Sequence, residues 1–484
     1  FRFSSGETQT DAFALHVLPR PAAPRAGAKV ALFDPEGETA AMLRGVQVQF
    51  TPVAGGADLS PYDLLIIGKG AVTVDGPAPD LGRVRDGLRV IVFEQTSQAL
   101  EKRLGFRATE YGLRQVFPRV PGHPVLAGVG EEHLCDWRGE ATLLPPRLQY
   151  TTDDNVFNGA PVVEWCGIPV TRVWRCGNRG NVASVLIEKP ARGDFMPLVD
   201  GGYALQYSPL MEYREGKGVV LFCQLDVTGR SERDPAAEAI ARRLVQYAAS
   251  WRPAPRRTAL YAGDPAGGEY LETAGVSLTP YAGGELRADQ TLIVGPGGGS
   301  QLARSAAPIA AWLRRGGNLL AIGLNEDEAN AFLPFRVSMK RGEHIAAQFE
   351  PAGVGSPMTG VCCADTMNRD PRELPLVTGG ASVVGNGVLA AEGRVTLCQL
   401  APWEFDWRKP PVSPEAPPLM NLKRTFRRTS VLLARLLGNL GVAAATPVLS
   451  RFGEPAAADE QRWRDGLYLD EPEEWDDPYR YFGW

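Results

Sequence analysis

Apolar residues in this chain fall into two alternating patterns, short unbroken runs and longer stretches with helical spacing. Residues 29–33 (KVALF), 63–67 (DLLII) and 88–93 (LRVIVF) belong to the first kind, and the segments around 38–44 and 81–86 to the second. A continuous β-branched run of this length predicts a strand covered on both faces, as in a parallel sheet. The alternation predicts βαβ units with right-handed crossovers.

One run returns. Residues 218–226 (GVVLFCQLD) are answered by 393–401 (GRVTLCQLA), and each is followed after a polar loop by a helical pattern, 234–251 in the first case and 421–440 in the second. Earlier pieces pair as well: 258–261 with 30–33, 291–295 with 64–68, and 318–323 with 89–94. HPVLAGV at 123–129 pairs with SPMTGV at 356–361, and PLVDGG at 197–202 with PLVTGG at 375–380. Counterparts before Val129 lie roughly 227 to 233 residues apart and those after Pro197 roughly 175 to 178 apart. A regular separation signals an internal repeat. Its drop by about 55 residues places an insertion in the first copy only, at about 135–188.

The expected organisation is therefore two tandem α/β parallel-sheet domains, 28–252 and 256–446. Ahead of them, the β-like runs FRF and AFALHV of residues 1–20 resemble the end of an immunoglobulin-like β-sandwich, followed by a Pro/Ala spacer at 18–28. A chain opening on Phe1 in a patterned segment is expected to be a processed or truncated product. The tail, 447–484, carries six aromatics in its last eighteen residues and is expected to pack on a neighbouring domain or subunit.

Composition narrows the function classes. At 484 residues the chain needs more than one core, and 44% apolar with 22% charged residues is ordinary for a globular protein. A net charge of −5, with no basic run, gives no support to nucleic-acid binding, and there is no apolar run of about 18 residues to predict a membrane span. Seven cysteines without CxxC spacing predict no metal site, and Cys223 and Cys398 read as core residues. The four histidines, at 16, 123, 133 and 344, have no metal-binding local spacing. No cofactor is expected.

Two parallel-sheet copies with late strands ending in Cys-Gln-Leu resemble the class I glutamine amidotransferase-like, flavodoxin-like fold. Together with DWRG (136–139), GKGVVLFCQLDVTGR (216–230) and DDPYRYF (476–482), they resemble the carboxyl-terminal half of bacterial proteins related to glycoside hydrolase family 2, the β-galactosidase-like group. The resemblance implies a carbohydrate ligand, a catalytic barrel upstream or in a partner chain, homo-oligomer contacts and a secreted or periplasmic location. It implies no catalysis by this chain. The amidotransferase nucleophile needs a Cys on a tight turn after a sheet strand. The corresponding turns, 93–97 (FEQTS) and 323–327 (GLNED), contain none, and no His follows either late strand.

Ligands in open α/β sheets gather beyond the carboxyl ends of the strands. That rule selects Lys69, Glu94, Gln95, Asp226 and Arg230 in the first copy; the alternative is that Glu94 and Asp226 cap helices or pair with arginines. In the second copy Ala401 replaces Asp226. Trp137 and Arg138 in the insertion, and Trp403, Glu404 and Trp407 in a Pro-rich excursion, offer a ring face and hydrogen bonds to a sugar. Anchoring a loop or interface is the competing role. The glycine-rich 295–300 reads as a tight strand-to-helix turn rather than a phosphate loop, and the acidic 470–477 as a solvated face.

Overall fold

The computed structural model describes residues 1–12, 15–24, 27–143, 162–165, 168–171, 179–369, 371–405, 407–408, 420–457, 459–472 and 477. Within them the chain builds two large sheets with the same strand order. The ten-stranded sheet runs Thr51–Pro52, Val30–Phe33, Leu64–Ile67, Arg89–Val92, Gly218–Cys223, Tyr207–Glu215, Ala183–Glu188, Ala108–Leu113, with two more strands off this path. The seven-stranded sheet runs Leu278–Pro280, Thr258–Ala262, Gln290–Val294, Asn318–Ile322, Val395–Cys398, Leu389–Glu392, Ser382–Val384.

In each sheet the first five strands are parallel and the sixth is antiparallel, so the molecule is α/β with mixed sheets. The antiparallel strand was not expected, and its cause is local. Both late runs are the second arm of a hairpin closed by two residues, Gly216-Lys217 or Gly393-Arg394, with the glycine at φ 61° or 57°. A first loop position with positive φ is what such turns demand. The short edge strands, Thr51–Pro52 and Leu278–Pro280, carry too little pattern to be seen in advance.

Each face of the first sheet has its own cover. Leu64, Ile66, Ile91 and Leu221 pack under the helix Pro235–Ser250, which starts at Asp234 capping the N–H groups of Ala236 and Ala237. Leu65, Ile67, Val90 and Phe222 on the opposite face pack against Val448, Leu449, Phe452, Leu467 and Tyr468, residues that follow the second sheet in sequence. The described part of the tail therefore closes the first sheet. In the second sheet the helix Met420–Asn439 covers one face, and Ala306–Arg314 with Glu326–Phe332 the other.

Buried ion pairs join the two units. Arg119, fully buried, bonds Asp200 (2.5 Å) and the Gly360 carbonyl (2.6 Å), and also bonds Asp365. Arg435 of the long helix bonds Asp194 at 2.8 Å, and Arg427 and Arg107 share Asp470 at 2.5 and 2.8 Å. Asp470 is thus a buried ion-pair partner, contrary to the solvated face expected for its segment; 473–476 lie outside the described residues.

Three other expectations change. Residues 81–86 contain a 3-10 helix, Gly82–Asp86, too short for a crossover α-helix. Ala183–Glu188, assigned to the insertion, is an integral strand pairing with Ala108–Leu113. The described residues before Arg20 form no sandwich: one isolated bridge, Arg2 to Thr8, closes a small loop, and Phe1, Phe3, Leu15 and Val17 stand exposed. No helix among the described residues is long and apolar enough to cross a membrane.

Candidate functional site

The carboxyl ends of the first sheet bring the predicted residues together. Lys69 follows Leu64–Ile67, Glu94 and Gln95 follow Arg89–Val92, and Asp226 and Arg230 follow Gly218–Cys223; every one of them is buried. They bind one another and the insertion, and among the described residues each of these side chains is buried. Asp226 accepts Thr142 N–H at 3.0 Å, the Thr142 hydroxyl, and Arg230 Nη1 at 2.8 Å. Lys69 Nζ donates to Glu38 (2.7 Å) and to the Thr142 carbonyl (2.8 Å). Arg230 Nη2 donates to the carbonyls of Trp137 and Asn181. Glu94 takes the Thr228 N–H (2.7 Å) and hydroxyl (2.9 Å). The Gln224 side chain stitches the strand ends by accepting the Gln95 N–H at 2.8 Å and donating to the Gln95 carbonyl at 2.9 Å.

Electrostatically the site is set by burial. Burial, with the Asp226 carboxylate as a second cause, pushes the Glu94 carboxyl up to about 8. Asp226 is also raised by burial, against the downward pull of Thr142 and Arg230. The arrangement holds a proton on Glu94 at neutral pH and a charge pair beside it, but both are walled off from solvent. Of the two readings weighed for these residues, a sugar or anion pocket and pairing with arginines, the structure shows Asp226 paired with Arg230; Thr142, which holds both Asp226 and Lys69, lay in the insertion with no sequence pattern to mark it.

The same position in the second sheet is apolar. Ala401 is 1% exposed, and Pro402–Glu404 turns back over it, with Trp403 beside Tyr270 at 5.7 Å between ring centres. Trp407 packs near Phe426 at 6.4 Å, with Lys423 over its ring. Trp137 is 2% exposed and donates its indole N–H to the His133 carbonyl at 2.9 Å, so it is an anchor with no free face for a sugar. Arg138 is exposed, and its backbone N–H ties the insertion to the helix cap Asp234 at 3.0 Å.

In the glycine-rich turn a Cβ on Gly298 would lie 2.2 Å from the Ala262 carbonyl oxygen. The N–H of Gly297, which a phosphate would need, donates to Glu328 at 2.5 Å. The tight-turn expectation accounts for both facts. Local spacing could not reveal that His16 and His133 meet: with Glu132 they place ligand atoms within 4.8 Å of one another on the surface. There Nδ1 of His133 already accepts the Gly130 N–H at 2.9 Å.

Two clefts lie at the other edge. One of 640 Å³ is lined by the end of the helix Pro235–Ser250 with Pro124, Ala127 and Arg214, all of the first unit, and beside it a second of 390 Å³ runs along the linker toward Asn318 and residues 438–441 of the second unit. Arg214, Tyr247 and Trp251 border both. Below them His123 Nε2 lies 3.0 Å from Glu212; burial alone would raise that carboxyl, but Arg214 and His123 hold it down at about 2. Nothing in the sequence pattern distinguishes these arginines from surface ones. Compared with known proteins, the chain matches no family model, and no curated protein matches it at a significant level.

Proposed function

We propose that this chain is a noncatalytic carboxyl-terminal part of a bacterial glycoside hydrolase-like, β-galactosidase-like protein, built on two degenerate class I glutamine amidotransferase-like units. Its role in that reading is assembly, or the shaping of a carbohydrate site completed by another part of the protein. The observation that supports it best is the filling of both strand ends: Thr142 plugs the first through Asp226 and Lys69, and Ala401 with Trp403 fills the second. A catalytic site at those positions needs carboxylates or a nucleophile in reach of substrate. The buried arginine–carboxylate pairs between the units fit a rigid module better than a hinge.

The purified chain is expected to turn over neither aryl glycosides nor glutamine. Hydrolysis of an aryl glycoside that is lost on Glu94→Gln or Asp226→Asn would overturn the proposal. The alternative, a small-molecule sensor at the first strand-end pocket, requires that pocket to open. Calorimetry with monosaccharides and glutamine on the wild type and on Thr142→Ala separates the two readings, since only a sensor gains or loses binding when the plug is shortened.

A further inference from the structure

We propose that the cleft beside the carboxyl end of the helix Pro235–Ser250 is a binding site for a small anion, a carboxylate or phosphate group, held by Arg243 and Arg252. The site goes beyond the assembly role and lies at the opposite edge of the first sheet from the closed network.

Three arginines, Arg214, Arg243 and Arg252, line the larger cleft, and no carboxylate does. Two neighbours in the adjoining cleft are already committed: Arg256 to Asp194 at 2.7 Å, and Arg257 to the carbonyls of Ala288, Gln290 and Gly316. Arg214 is committed as well, with Nε 2.8 Å from Glu212. Arg243 differs. It is half-buried on the helix Pro235–Ser250, its Nη1 is buried without a hydrogen-bond partner, and no carboxylate among the described residues pairs with it. Nη1 is closed off from solvent, so the accessible part of the half-buried guanidinium is what meets the cleft, and a partly desolvated charge without a counter-ion is costly in isolation and is relieved by a planar or tetrahedral oxyanion.

The helix carboxyl terminus at the same place would repel an anion if its carbonyls were bare. They are occupied. Arg89 donates to the Ala249 carbonyl at 2.7 Å, Ser250 Oγ to those of Gln246 and Tyr247, the Trp251 N–H to that of Ala248, and Arg252 Nη1 to that of Trp251. Arg252 is exposed and spends one nitrogen on this cap, leaving the rest of its fork for a ligand. The cleft, at 640 Å³, also has room for the body of a sugar acid or sugar phosphate, with Tyr247 and Trp251 along its wall.

The test is calorimetry on the full chain at low salt with inorganic phosphate, D-glucuronate, D-glucose 6-phosphate and uncharged D-glucose. At least one of the three anions is expected to bind, with D-glucose failing at the same concentrations. Arg243→Gln should weaken binding at least tenfold and Arg243→Lys less, while Arg341→Gln on a remote exposed strand leaves it unchanged. A preference for inorganic phosphate identifies free phosphate as the source; a preference for a sugar anion identifies an acidic carbohydrate. Absence of binding by all three anions, or equal affinity in wild type and in a folded Arg243→Gln variant, overturns the proposal. Far-ultraviolet circular dichroism of that variant establishes that it is folded.

Discussion

The two sheets share a strand order and a hairpin turn, yet they treat the same position in opposite ways. At the carboxyl ends of its parallel strands the first sheet buries Asp226, Arg230, Glu94 and Lys69 in a polar network, while after its last parallel strand the second buries Ala401 at the start of the turn Pro402–Glu404. A second divergence lies in the PLVxGG pair. Asp200 of the first copy is buried on Arg119 and Lys189, where the second copy has exposed Thr378. The difference teaches how a repeated frame specialises: the backbone of both copies is kept, and the first copy adds buried carboxylates together with the arginines, lysine and histidine that neutralise them.

The largest effect is expected from Arg119→Ala. It leaves Asp365 without its counter-ion and Asp200 with Lys189 alone, and breaking a buried pair from one side costs about 3–5 kcal/mol. Urea unfolding measures it, and adding Asp365→Asn should restore part of the loss. Unchanged stability would mean that the units do not depend on this contact.

A smaller effect tests the polar strand end. Glu94 sits at about 8 in the folded protein against 4.5 for an ordinary glutamate, so the folded state retains a proton that the unfolded chain releases. Its stabilising contribution is full below pH 4.5 and is lost as the pH rises through 8. Glu94→Gln should flatten this decline, by an amount on the order of a few kcal/mol between pH 5 and 9. The midpoint of urea unfolding followed across that range reads it. The second sheet, with Ala401 at the equivalent strand end, has no counterpart to this effect.

The smallest change, Asp226→Ala, makes the first copy like the second. It breaks the buried Arg230 pair from one side, at about 3 kcal/mol, but Arg230 keeps the Trp137 and Asn181 carbonyls and Glu94 loses the like charge that raises it, so the net cost is expected to be about 2 kcal/mol. The pH at which Glu94 titrates should fall in the same variant. An unmoved titration would show that burial alone holds the proton.

Much of the frame was legible because buried parallel strands leave continuous apolar runs, and because LFCQL and TLCQL preserve the same run in both copies. The hairpin partner Tyr207–Glu215 escaped, since its run YSPLMEYRE mixes charge and Pro with apolar residues that the fold nevertheless buries. The strand-end residues were picked correctly as neighbours, by the topological rule. What closed them was invisible: Thr142, Thr228 and Glu38 are ordinary residues until a loop from about 80 positions away brings a hydroxyl onto Asp226. For Trp137 two roles stayed open in the sequence, because an aromatic that anchors a loop and one that stacks on a sugar have the same letter, and the structure shows the anchor.

The tail that seals one face of the first sheet bears on the order of events during synthesis. Val448, Phe452 and Leu467 leave the ribosome more than 200 residues after Cys223 completes the parallel strands they cover. Throughout that interval the nascent first unit presents Leu65, Val90 and Phe222 without their final cover, and the unit that is made before the other is completed after it.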